Sequence, residues 1–172
     1  MNKRIAGLIV MLWMVLGWAL SDRMLAEGVM EQKETSVILQ SFAPKEIRPG
    51  DTWRVYLRAS DPEGRMKYIF ATVSQPGMGV YPVSIIRIRE ENRRDLSGYI
   101  YLNTAPARLP QFFNGSLTLT VNIQGRGGQF SQPAVFPLFF QANPTQEVPP
   151  EGVFKEQNLG PIMVTLRTGI RR

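Results

Sequence analysis

The 172-residue chain contains no cysteine and no histidine. Without cysteine there is no disulfide framework, no thiolate nucleophile, no thiolate metal site and no cysteine for lipid attachment. Without histidine the usual general base near neutral pH and the commonest zinc ligand are missing. A Ser-His-Asp triad is therefore excluded. Catalysis would have to rest on carboxylates, lysine, tyrosine or unusual serines. The sequence reads as a non-enzyme with no cofactor. Dense positive charge is also lacking. The net charge is +6, from 20 basic and 14 acidic residues. Lys3 and Arg4 belong to the N-terminal address, and without them the balance is 18 minus 14, or +4. The remaining cations are interspersed with acids, as in "RIREENRRD" (Arg87 to Asp95). A nucleic-acid groove needs a denser basic face with interleaved aromatics, so no nucleic-acid partner is expected.

What is present is apolar and rich in turns. Hydrophobic residues make up 44% of the chain, alongside 15 glycines and 13 prolines. That balance suits a core built from short strands. The opening "MNKR" is basic, "IAGLIVMLWMVLGWAL" (Ile5 to Leu20) is uncharged and apolar, and "SDR" is a polar exit. This is the layout of a secretory signal peptide, with small residues at Ala19 and Ser21 that place cleavage before Asp22. The rival reading is a retained anchor, although a full span takes about 20 apolar residues. Both readings export the remainder to the periplasm or beyond. Membrane contact is expected only through residues 5–20, and only if they are kept.

Residues 1–21 thus form the signal or anchor helix, and 22–35 a polar spacer. From Ser36 the texture becomes short alternating runs. "SVILQSF", "TWRVYLRA", "RMKYIFATV", "VSIIRIR", "LSGYIYLNT", "SLTLTVNIQ" and "AVFPLFFQ" are seven strand candidates separated by turn signals. In "TWRVYLRA" the core face is Trp53, Val55, Leu57 and Ala59, and the outer face is Thr52, Arg54, Tyr56 and Arg58. Pro137 restricts "AVFPLFFQ" to an edge or a bulge. The spacing leaves no room for parallel crossover helices, so the chain reads as all-β, a single antiparallel β-sandwich.

Three stretches carry a resemblance. "RPGDTWRVYLRASDPEGRMKYIFATV" is a turn, a strand, an Asp-x-x-Gly turn and a strand. "SGYIYLN" is a middle strand, and "GSLTLTVNIQGRGGQFSQP" a late hairpin with a glycine-rich turn. In these the block 36–141 resembles bacterial immunoglobulin-like and fibronectin type III-like sandwich modules. The resemblance implies a fold of about seven strands rather than an activity. It departs from the antibody type in lacking the cysteine pair, and Trp53 is a candidate to fill that volume. Residues 142–152, "ANPTQEVPPEG", read as a proline-rich linker. Residues 153–172 form a tail in which Ile162, Val164 and Leu166 alternate as an extra strand.

Asp61 and Glu63 in "DPEG" are weak calcium candidates. Calcium takes about six to eight oxygen ligands, and two carboxylates fall short. Proline at the second position and glycine at the end make a plain turn the better reading. Glu90, Glu91 and Asp95 sit among arginines and read as an ion-paired turn rather than a hydrolase pair. The loop "QPGMGVYP" offers Met78, Val80 and Tyr81 as apolar anchors for a partner. The tail strand either folds back onto its own sheet or augments the sheet of another protein. The function expected is an exported module for protein binding or envelope assembly, with an envelope or extracellular protein as partner. The first alternative is a carbohydrate-binding module with Tyr56, Tyr99 or Tyr101 exposed to stack on a glycan. A carboxylate hydrolase is the more remote one.

Overall fold

The computed structural model describes residues 36–105 and 115–167. The expected signal or anchor helix lies outside them. In chain order the strands are β1 (Val37–Phe42), β2 (Glu46–Ile47), β3 (Thr52–Ser60), β4 (Met66–Gln75), β5 (Gly79–Val80), β6 (Ser84–Arg87), β7 (Asp95–Asn103), β8 (Ser116–Gly125), β9 (Ala134–Phe140) and β10 (Asn158–Pro161). One 3-10 turn, Glu90–Asn92, precedes β7. The first sheet runs β1-β3-β7-β10. The second runs β2-β9-β8-β4-β5, with β6 also paired to β4. The described chain is all-β, and its two sheets share one apolar core, as a β-sandwich requires.

Alternation explains which face each strand buries. Trp53, Val55, Leu57 and Ala59 of β3 point inward, opposite Leu117, Leu119, Val121 and Ile123 of β8 in the other sheet. Trp53 is fully buried, and its indole N–H donates to the Pro44 carbonyl at 2.8 Å, so its one polar atom is satisfied. Pro137 takes the position its missing N–H allows. Phe139 and Gln141 donate away from β8, to Lys45 and Ile47, whereas Phe140 donates towards the β8 side, to Gly115. Two residues before Phe139, Pro137 presents its nitrogen to the side where the parallel, two-residue β2 has not yet begun.

Two expectations are corrected. Seven strands in the block and one more in the tail were expected, but ten occur among the described residues; the two unforeseen, β2 and β5, are two-residue pairings that carry no periodicity of their own. The tail strand is Asn158–Pro161 rather than the alternating run after it, and it pairs with β7 in parallel. The run after it has a different role. Ile162 extends the ladder by donating its N–H to the Tyr101 carbonyl at 2.7 Å. The chain then crosses to the second sheet, where Met163 N–H meets Ser84 Oγ and Arg167 N–H meets the Tyr81 hydroxyl. Ile162 and Leu166 lie in the common core. Burying an aliphatic side chain contributes roughly 1.5–3 kcal/mol. The tail is therefore the closing side of the sandwich.

Glycine permits the closure at two points. A Cβ on Gly98 would overlap the Gln157 carbonyl oxygen. A Cβ on Gly160, whose φ is 147°, would lie 2.8 Å from Ile86 Cγ2. Gly98→Ala should therefore lift the tail off β7. We expect a loss of about 1–3 kcal/mol by chemical denaturation. We also expect faster proteolytic cleavage after Lys155, and an unchanged cleavage rate would refute this account of the closure.

Candidate interaction surfaces

The "DPEG" turn is held by arginine. Asp61 is only 1% exposed. One of its carboxylate oxygens accepts the Glu63 N–H at 3.1 Å, and the other accepts the Ser36 hydroxyl at 3.1 Å. Arg65 Nε donates at 3.2 Å and also pairs through Nη1 with Glu63 at 2.9 Å. The Gly64 N–H closes the turn on the Asp61 carbonyl at 2.8 Å. Both acids proposed as calcium ligands are thus engaged by one guanidinium. Burial pushes the Asp61 carboxyl up, but Arg65, the Glu63 N–H and the Ser36 hydroxyl outweigh it and hold its pKa below the ordinary value.

The other sequence candidates fall in different settings. Glu90 is paired with Arg93 at 3.0 Å, and Glu90 and Glu91 share the 3-10 turn rather than facing another acid across a cleft. In the "QPGMGVYP" loop Val80 is exposed and Met78 half-buried. Tyr81 is buried, which corrects its reading as a surface anchor. Its hydroxyl donates to the Gln75 side-chain oxygen and accepts the Arg167 N–H, so it fastens the tail. Ile162 and Leu166 are buried in the chain's own core, with Val164 packed against it. Sequence alternation correctly marked them as apolar, but it could not say which sheet they join.

Tyr56 was expected on the outer face and is only 5% exposed. The reason is the tail. Phe154 stacks over it at 5.6 Å between ring centroids, Tyr99 flanks it at the same distance, and its hydroxyl donates to Glu156 at 2.9 Å. Burial raises the Tyr56 pKa, and the Glu156 bond reinforces that against Arg54. The Arg54 guanidinium lies over the Tyr99 ring, 4.7 Å from its centroid. Tyr99 and Tyr101 are half-buried. The tyrosines named for sugar stacking are thus beneath or beside the tail.

One surface was not anticipated. The outward positions of β4, β8 and β9 are Tyr68, Phe70, Thr72 and Ser74, then Ser116, Thr118, Thr120, Asn122 and Gln124, then Val135, Pro137 and Phe139. None of them is charged. Register aligns Ile85 with Phe70, Thr120 with Val135 and Ser116 with Phe139 across this face. Ile85 is 59% and Val135 57% exposed, and Phe130 packs edge-on to Phe70 with centroids 5.1 Å apart. Charged groups stand at its margins: Arg87 ends β6, Lys67 Nζ lies 5.0 Å from the Tyr68 ring centroid, and Lys45 and Glu147 lie beside Val135 and Pro137. A face depleted of charge, with aromatic and aliphatic groups exposed, has the composition of an interface centre. The available signal was the run "KYIFATVS", apolar on both faces at one end.

No protein-family model matches the chain, and no curated protein matches it. The reading of function rests on these surfaces.

The Asp61 geometry makes a pH prediction. A carboxyl with a depressed folded pKa stabilises above its unfolded value, and that contribution disappears as pH falls through the folded one. Asp61→Ala should cost about 1–3 kcal/mol near neutral pH, because it removes the buried acceptor shared by Arg65, the Glu63 N–H and the Ser36 hydroxyl. The gap between wild type and variant should shrink below about pH 4. Urea titrations at both pH values measure it, and a gap independent of pH would argue against an ionised Asp61.

Proposed function

We propose that the chain is an exported, non-enzymatic, immunoglobulin-like module that binds a protein of the bacterial envelope through the open face of its second sheet. The observation that carries this is the uncharged face centred on Phe70, Thr120 and Val135, with Ile85 and Phe139 exposed beside it. Strand order supports the immunoglobulin-like assignment. β1, β3 and β7 stand in the order of the first, second and fifth strands of such a module. β4, β8 and β9 stand in the order of its third, sixth and seventh. β10, contributed by the tail, occupies the place of the missing fourth. Export is supported by the N-terminal layout of basic start, apolar run and polar exit. The first sheet is a weaker candidate, since Arg54 and Arg58 punctuate its outer face and the tail covers Tyr56.

The test is cross-linking in cells with the tagged chain, followed by mass spectrometry. Ile85→Glu and Val135→Lys each place a charge on the face without touching the core. An envelope protein captured by the wild type should be depleted at least about tenfold by either substitution, the scale of a lost hot spot. Capture unaffected by both would overturn the assignment of this face.

A further inference from the structure

We propose that β1 is a self-pairing edge, through which two copies of the chain join their first sheets antiparallel across a two-fold axis. The two sheets have four edges. Exposed strand edges are templates for pairing, and folded proteins blunt them with short strands, charges, prolines or covers. The far edge of the first sheet is β10, a four-residue strand that ends on Pro161, after which the tail leaves for the second sheet at Ser84. One side of the second sheet ends in the two-residue β2, which carries Glu46, and Pro137 withholds an N–H beyond it. The other side is divided between the two-residue β5 and the four-residue β6, which ends on Arg87 and is joined by the tail at Ser84.

β1 lacks most of these devices. Its sequence is VILQSF, with neither charge nor proline. Val37 and Leu39 are 53% and 54% exposed. Among the described residues it pairs with β3 alone. It has one irregularity, a register shift between Ile38 and Gln40, which leaves Gln40 to Phe42 regular.

A second copy suits this edge for two reasons. An uncharged strand paired with itself places no like charges opposite one another. Arg58 on β3 donates to Gln40 Oε1 at 3.3 Å. The chain also carries both a groove and apolar side chains to enter it. Beside the second half of β1 runs an open groove whose lining includes the apolar Phe42, Val135, Pro137 and Val148 and the oppositely charged pair Lys45 and Glu147. In an antiparallel pair centred between Leu39 and Gln40, Val37 of the second copy falls opposite Phe42, at the mouth of that groove. The two-fold repeats the contact.

The chain from Asp22 onward is the material for the test, because among the described residues every buried core residue lies between Ile47 and Leu166. Sedimentation should show a monomer becoming a dimer between about 10 and 500 µM, as suits a small interface. Leu39→Lys, at an exposed position, should keep the melting temperature and stay monomeric throughout. With no native cysteine, a mixture of Leu39→Cys and Gln40→Cys chains reports register. Facing residues in an antiparallel pair lie within disulfide reach. The mixed disulfide should exceed the two like-with-like products severalfold. Ile85→Glu should leave the dimer intact, which separates this edge from the sheet face. A wild-type chain monomeric at all these concentrations would overturn the proposal, as it would be if another segment or another protein held the edge. A dimer indifferent to Leu39→Lys, or disulfides formed at random, would do the same.

Discussion

At Gly98 the chain has no side chain, and there the Gln157 carbonyl accepts the Tyr99 N–H at 2.8 Å. The far side of the molecule depends on that approach. Above it, Phe154 and Glu156 cover Tyr56. Beyond it, Gly160 passes Ile86, and Ile162 and Leu166 enter the core between the sheets. The energy comes mainly from burial, since a net hydrogen bond is worth about 1 kcal/mol and a buried aliphatic side chain more. The polar contacts set the path instead: Ser97 Oγ to Lys155 N–H, Ser84 Oγ to Met163 N–H, and the Tyr81 hydroxyl to Arg167 N–H. Tyr81 and Gln75 are thus ordered together with a segment more than eighty residues away in sequence.

The parts of this fold legible in the sequence are those governed by local alternation. β3 and β8 bury the residues their period of two selects, and Trp53 is central as its place in "TWRVYLRA" implies. Pro137 satisfies the rule for proline through a side that β2 does not reach. What local pattern cannot supply is the identity of a distant cover. Tyr56 alternates as an outward residue, and it is outward, but the tail lies on it. Tyr81 reads as a loop residue, yet its hydroxyl is the tail's last anchor. The open face escaped for a related reason. Threonines on β8 look like ordinary solvent positions, and only the register beside Val135 and Phe70 makes them one uncharged surface.

The missing histidine and cysteine shape how constant these surfaces are. No side chain type present has an ordinary pKa between about 5 and 8. Arg65 and its neighbours move Asp61 further down, and burial moves Tyr56 further up, so both leave the neutral range more completely. Asp61 and Tyr56 therefore keep their charge states across neutral conditions.

The edge and the face have a geometric relation. Antiparallel strands in a sheet are related by two-fold axes perpendicular to that sheet. If two copies pair through β1, both first sheets face one way and both second sheets the other. The two uncharged faces then lie side by side on a common surface. Such a pair is bivalent towards a repeated or dimeric partner. Linked sites raise effective concentration and can tighten binding about 10²–10⁴-fold with no new contact. Weak self-association at β1 and modest affinity at each face would then together give firm attachment, provided the partner repeats at the spacing the two-fold imposes.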